Sequence, residues 1–354
     1  MRIHDLVRDD IKNLVPYEPH LFKNVIRMDA NENPHLFPQE VINSIFAGIS
    51  GEDFIRYPDP LGMELKAKIS AFTGQSPENI VLGNGSDELI QLILQTFGGP
   101  GRRMVIPAPT FSMYRIHGEI TGTIPVEVPR DEKFGLVTDE MLAQMQHPDT
   151  RVTFIATPNN PTGNCVPIHQ IRKLVQEVKS LLVVDEAYID FGGETSLPLL
   201  REYPNLIILR TFSKIGLAGL RVGYLVADRE VTSELSKARQ PYNVNTVSQK
   251  AACAVIDNWQ IFREQIAEIS AERERLVQGL QAMPGVKVYP SQANFILFSV
   301  PVSPDEVHRR LVEDGILIRK GLGSTHGLAS CLRVSVGTKQ ENDLFLAKLN
   351  EKLV

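Results

Sequence analysis

Lys214 stands in the run Arg210-Thr211-Phe212-Ser213-Lys214-Ile215-Gly216-Leu217-Ala218-Gly219-Leu220-Arg221, a lysine in an apolar, glycine-containing setting. A lysine amine attacks a carbonyl carbon only when neutral, and desolvation or a neighbouring cation such as Arg221 favours that form. The alternative is a solvated surface lysine. Other polar groups have chemistry that complements it. Asp185 closes the apolar run Leu181-Leu182-Val183-Val184, and a carboxylate buried there requires a cationic partner. Asn159 and Asn160 lie in the polar, proline-fixed stretch Thr157-Pro158-Asn159-Asn160-Pro161-Thr162-Gly163, which by itself reads as a loop. Gly83-Asn84-Gly85-Ser86 leads into an apolar-periodic segment, and a glycine loop at a helix start is an anion site because unpaired N–H groups and the helix dipole face the incoming charge. The plainer alternative is that Ser86 or Asp87 caps the helix. The third glycine of a dinucleotide fingerprint and the Lys-Ser/Thr of a phosphate loop are both missing, which argues against NAD and nucleoside triphosphates.

The elements that must carry these groups follow from the hydrophobic pattern. Leu206-Ile207-Ile208-Leu209 reads as a buried strand and Arg221–Val226 opens another, which puts Lys214 on the connecting loop. Strands over 80–82, 104–106, 123–128, 152–156 and 181–184 alternate with helices near 87–97 and from Thr110, so the fold class is α/β with a mostly parallel central sheet flanked by helices. In such sheets ligands bind at the carboxyl ends of the strands. After Ala227, amphipathic helices are predicted over 230–239 and 245–282, the second broken near Asn258-Trp259. Strands over 286–288, 295–298, 316–319 and 331–336 with a helix near 304–313 make a smaller α+β domain. Ahead of the sheet come a short helix over 5–13, the two-proline arm Val15-Pro16-Tyr17-Glu18-Pro19, the turn-rich Met28–Pro34, and the extended Arg56-Tyr57-Pro58 before a helix over 62–73. The expected division is a large domain over 46–245, with residues 1–45 and 246–354 forming the arm and the small domain.

At 354 residues, 43% hydrophobic and 22% charged, the composition is that of a globular protein. A net charge of -5 with both signs interspersed gives no basic stripe, so no nucleic-acid partner is expected. Cys165, Cys253 and Cys331 lack a paired spacing, which predicts neither a disulfide framework nor a metal site and places the protein in the cytoplasm. The N-terminal stretch has no export-type apolar core, and no run approaches the length of a membrane span.

A lysine for an aldehyde, a carboxylate for a pyridinium nitrogen, an amide and a phenol for a ring oxygen, and N–H groups for a phosphate are together the requirements of pyridoxal phosphate. The motifs Asp29-Ala30-Asn31-Glu32-Asn33-Pro34, Arg56-Tyr57-Pro58, Gly83-Asn84-Gly85-Ser86-Asp87, Asn159–Gly163, Asp185-Glu186-Ala187-Tyr188, Ser213-Lys214 with Arg221, and Leu332-Arg333 span nearly the whole chain. In order and spacing they resemble the fold type I pyridoxal-phosphate enzymes, in particular the aspartate-aminotransferase-like class and the histidinol-phosphate aminotransferases within it.

The resemblance implies that Lys214 holds the cofactor aldehyde, that Asp185 pairs with the pyridinium nitrogen, and that Asn160 and Tyr188 bond the ring hydroxyl oxygen. Lys214, Asp185 and Tyr188 are then the catalytic set. Phe111 is expected on the ring face, with Tyr114 as competitor. Gly85, Ser86, Thr211, Ser213 and Arg221 would hold the cofactor phosphate, Tyr57 would reach it from a second subunit of a homodimer, and Asp87 would cap the helix. Arg333, Arg319, Tyr17 and Asn33 are the expected substrate contacts. The implied reaction passes the amino group of L-histidinol phosphate to 2-oxoglutarate, giving imidazole acetol phosphate and glutamate in histidine biosynthesis. Threonine-phosphate decarboxylation and aromatic-amino-acid transamination on the same fold are the alternatives.

Overall fold

The computed structural model describes residues 2–9, 11, 12, 14, 22, 24–322 and 327–353. Its strands, in chain order, are β1 (Ile26–Met28), β2 (Ile80–Asn84), β3 (Arg103–Ala108), β4 (Ile124–Pro129), β5 (Thr150–Ala156), β6 (Leu181–Asp185), β7 (Leu206–Thr211), β8 (Val222–Ala227), β9 (Lys287–Val288), β10 (Phe295–Ser299), β11 (Ile316–Ile318) and β12 (Cys331–Ser335). A seven-stranded sheet has the order β2-β8-β7-β6-β5-β3-β4. The pairs from β7 through β6, β5 and β3 to β4 are parallel, whereas β8 is antiparallel to both β7 and β2. Within this sheet β8 alone is reversed. The carboxyl ends of β2 and β3 to β7 therefore share one edge with the start of β8, and Asp185, Thr211, Asn84 and Val222 are all strand-end residues there.

Successive side chains of a strand point to opposite faces, and both faces of this sheet are covered. Leu182, Val184, Leu206 and Ile208 face one apolar core, while Val183, Ile207, Leu209, Phe154 and Tyr114 face the other. Burial on both sides is why these strands read as unbroken apolar runs rather than as alternations. The helix Ser86–Phe97 buries Leu89, Ile90, Leu92, Ile93 and Leu94 against the second face.

A second unit is built on antiparallel β9-β10-β12, joined through an Arg319–Arg333 bridge to the parallel pair β1-β11. Its core holds Met28, Leu276, Leu280, Ile296, Phe298, Leu332, Val334 and Phe345. The N-terminal segment thus folds with the C-terminal third. The helices Gln39–Ala47 and Thr246–Asp257 instead bury Val41, Ile45 and Ala251 to Val255 in the first sheet core. The long helix Trp259–Gln281 spans both, with Phe262, Ile266 and Ile269 in the sheet core and Leu276 and Leu280 in the second unit. Within the described residues the expected helix over 5–13 is a 3-10 turn, Ile3–Leu6. No helix among the described residues is long and apolar enough to cross a membrane.

Candidate active site

Lys214 follows β7 not on an open loop but in a short helical segment, Ser213–Leu217, that is kinked at Gly216 and continued by a 3-10 turn over Ala218–Leu220. Gly216 permits this at φ 138°, where an added Cβ would meet the rings of Phe37 and Phe262 at 3.3 and 3.5 Å. The half-buried Lys214 Nζ lies 3.5 Å from the Ala30 carbonyl oxygen and 5.5 Å from the centre of the Tyr188 ring.

Asp185 ends β6 and is buried. Its Oδ1 accepts the Ala187 N–H at 2.9 Å and its Oδ2 accepts the Tyr114 hydroxyl at 2.6 Å. Among the described residues no cationic side chain pairs with it. Burial pushes its carboxyl up to about 6, against the two hydrogen bonds, which pull it down. Burial and the Asp185 charge likewise hold the Tyr114 phenol well above its ordinary value, so Tyr114 stays a donor. The Tyr114 ring is fully buried and stacked on Phe154 at 4.9 Å. That removes it as competitor for the cofactor face and leaves half-buried Phe111, edge-on to Tyr114 at 5.6 Å.

Tyr188 is buried three residues beyond Asp185, and its hydroxyl oxygen accepts from Asn31 Nδ2 at 3.0 Å. Asn160 Oδ1 accepts from Arg333 Nη1 at 2.6 Å, and Arg333 Nη2 donates to the Asp29 carbonyl at 2.6 Å. Arg319 pairs with Arg333 through two backbone hydrogen bonds of 2.9 Å, which set both side chains on one face. The sheet edge and the second unit therefore meet at Asn160 and Arg333.

The turn Asn84-Gly85-Ser86 brings the start of helix Ser86–Phe97 to the same edge. Gly85 has φ 80°, and a Cβ there would lie 2.5 Å from Arg221 Nη2; a Cβ on Gly223 would lie 2.7 Å from Gly85 C and Ser86 N. Two glycines thus allow the β8 hairpin to close on the helix start. Thr211 Oγ1 donates to Ser213 Oγ at 2.9 Å, and Arg221 Nη1 reaches the same oxygen at 3.5 Å. Asp87 does not cap the helix as expected. Gly85 occupies the capping position, and Asp87, already within the first turn, accepts from Arg221 Nη2 at 2.8 Å.

Two expected residues, Asn33 and Tyr57, lie apart from this convergence. Asn33 gives its amide to the Ile215 carbonyl at 3.2 Å and to Gln265 Oε1 at 3.0 Å, bracing the Lys214 turn from outside. Tyr57 is 80% exposed and stacks on Tyr242 at 4.6 Å. Tyr17 lies outside the described residues.

The residues present fit pyridoxal phosphate. Asp185 is an enclosed carboxylate that a pyridinium cation would compensate, Lys214 Nζ sits at the same edge, and the glycine cradle offers helix N–H groups, hydroxyls and a guanidinium suited to a phosphate.

The family profile for aminotransferase class I and II matches residues 23–349. The chain belongs to that family. Among its relatives, histidinol-phosphate aminotransferase 1 of Carboxydothermus hydrogenoformans is 47% identical over 347 residues, covering 98% of each chain. The histidinol-phosphate aminotransferase of Thermoanaerobacter pseudethanolicus is 38% identical over 353 residues, 99% of this chain and 100% of the relative. The crystal structure of histidinol-phosphate aminotransferase from Sinorhizobium meliloti in complex with pyridoxal-5'-phosphate superposes with a TM-score of 0.85 at 27% identity, covering 92% of this chain and 90% of that one. For this class I and II aminotransferase, then, the mostly parallel sheet flanked by helices is the architecture of its solved relatives.

Proposed function

We propose that this aminotransferase uses pyridoxal phosphate to move the amino group of L-histidinol phosphate to 2-oxoglutarate, in the cytoplasm and as a homodimer. The observation that carries the reading is the meeting of Lys214, Asp185, Asn160, Tyr188 and Arg333 at one sheet edge. The lobes are read as a large one around 46–245, extended beyond the expected division by the helices Gln39–Ala47 and Thr246–Asp257 and the first half of Trp259–Gln281, and a small one from β1 and the chain beyond Ile269. Phe46, Phe54, Ile55 and Tyr57 are each exposed within the short span 46–57 of the large lobe, which supports a second copy covering them.

Bound pyridoxal phosphate supplies an electron sink for the pair left when the substrate Cα loses its proton. Asp185 holds the pyridinium proton in place and keeps that sink available. Lys214 Nζ would hold the cofactor through its aldehyde and, as a free amine, would be the base that takes up and hands on the substrate Cα proton. Asn160 and Tyr188 orient the ring through its hydroxyl oxygen, Phe111 covers its face, and Gly85, Ser86, Thr211, Ser213 and Arg221 anchor the phosphate. Arg333 and Arg319, on one face of adjoining strands, present guanidinium groups to the phosphate of one substrate and a carboxylate of the other. Tyr17 keeps its proposed role as a substrate contact, Asn33 acts by bracing the Lys214 turn through the Ile215 carbonyl rather than by touching substrate, and Tyr57 serves the neighbouring subunit's cradle.

The test is the visible band of the protein incubated with pyridoxal phosphate. Lys214→Ala should abolish it, L-glutamate should convert it to the amino form, and imidazole acetol phosphate should restore it. Carbon dioxide release from threonine phosphate, with no response to glutamate, would make the protein a decarboxylase.

A further inference from the structure

Asn31 has a place in this site that its motif does not reveal. It is 1% exposed, adopts φ 56°, and every polar group it has is engaged. Its N–H donates to Ser335 Oγ at 2.8 Å, its carbonyl accepts from Asn294 Nδ2 at 3.0 Å, and its Oδ1 accepts from Ser335 Oγ at 3.1 Å. The bond from Asn31 Nδ2 to the Tyr188 hydroxyl completes the set.

Proton accounting fixes the direction of these bonds. Ser335 Oγ receives a hydrogen from the Asn31 backbone, so its own single hydrogen goes to Asn31 Oδ1. The amide is therefore held with its oxygen toward Ser335 and its NH2 toward Tyr188. An amide nitrogen only donates, so it fills a lone pair of the phenol oxygen and leaves the phenol hydrogen to go elsewhere. All four side chains are buried, so solvent does not scramble the arrangement.

We infer that Asn31 is a positioning residue for the aminotransferase reaction: it compels Tyr188 to donate toward the ring oxygen of the cofactor. Through Ser335, two residues past Arg333 on β12, it also ties that donor to the strand bearing the substrate arginine. The inference rests on the cofactor reading above.

The test follows the visible band of the bound cofactor as pH is varied. A donor to the ring oxygen withdraws electron density and weakens that oxygen's hold on the neighbouring protonated nitrogen, so losing the donor raises the pH at which the band titrates. Tyr188→Phe sets the full effect. Asn31→Ala should move the titration upward by about 0.5–1 unit, the change that one ordinary hydrogen bond makes. Asn31→Asp, which accepts where the amide donates, should move it further than Asn31→Ala. Added to Tyr188→Phe, Asn31→Ala should shift nothing more. Ser335→Ala, which keeps Asn31 but frees its amide to turn, should give a smaller upward shift and serves if Asn31→Ala does not fold. A titration unmoved by Asn31→Ala or Ser335→Ala, or moved equally in the Tyr188→Phe background, overturns the inference. A wild-type protein that forms no Lys214-dependent band would instead overturn the cofactor reading.

Discussion

Replacing Tyr114 by phenylalanine isolates the one side chain among the described residues that bonds Asp185. The ring stack on Phe154 is kept and only the 2.6 Å bond from the hydroxyl is removed. In the cofactor-free protein Asp185 stands at about 6, against an ordinary 3.8. That difference of about 2 units corresponds to roughly 3 kcal/mol. The folded state binds this proton more tightly than the unfolded chain, so the associated stability is fully present below about pH 4 and is lost as pH rises through about 6. A hydrogen bond to a charged group contributes about 1.5–3 kcal/mol, so Tyr114→Phe should raise Asp185 by a further 1–2 units, to roughly 7–8. The assay is carbon-13 NMR of the aspartate carboxyls in cofactor-free protein, with thermal melting recorded across the same pH range. Asp185 should then be about half to nine-tenths protonated at pH 7, weakening pyridoxal phosphate binding about two- to tenfold. A variant whose Asp185 titrates where the wild type does would refute the reasoning.

Further outcomes follow from contacts of the same kind. Gly85→Ala puts a Cβ 2.5 Å from Arg221 Nη2 at a φ of 80°, so it should displace the guanidinium and weaken cofactor binding at least about tenfold, read by equilibrium titration. Glu186→Gln removes from the part-buried Arg210 the carboxylate it bonds at 2.8 and 3.0 Å, leaving it only the nearby charge of Asp190, and should cost about 3 kcal/mol in denaturant unfolding with the site geometry preserved. Arg333→Lys cannot bond Asn160 and the Asp29 carbonyl together, and should lower kcat/KM for the phosphorylated donor by about 10–100-fold.

The strand-end chemistry was legible because it is written locally. Asp185 and Thr211 end apolar runs that read as buried strands, and Gly85 ends one strand just before a periodic helix. The reversal of β8 was not legible, since an apolar strand buried on both faces reads the same in either direction. Nor was the role of Tyr114, 71 residues from the carboxylate it bonds, or of Asn31, 157 residues from Tyr188. Such pairings are made by packing between distant elements and leave no periodic trace. Asp87 misled for a related reason: its local pattern says cap, but a guanidinium carried in by another strand is the stronger partner.

The reversed strand also decides which part of the site is fixed. β7 and β8 are hydrogen-bonded neighbours from Ile207 opposite Ala227 to Thr211 opposite Gly223, so the ten residues between Thr211 and Val222 are a hairpin tip pinned at both ends. Lys214 and Arg221 are thus carried on a tip whose two ends are fixed by the β7–β8 pairing. Arg333, by contrast, is held to that sheet edge through Asn160 and to the N-terminal segment through the Asp29 carbonyl. The amine is the anvil of this enzyme, and any adjustment between a phosphorylated donor and a dicarboxylate acceptor falls to the arginine side.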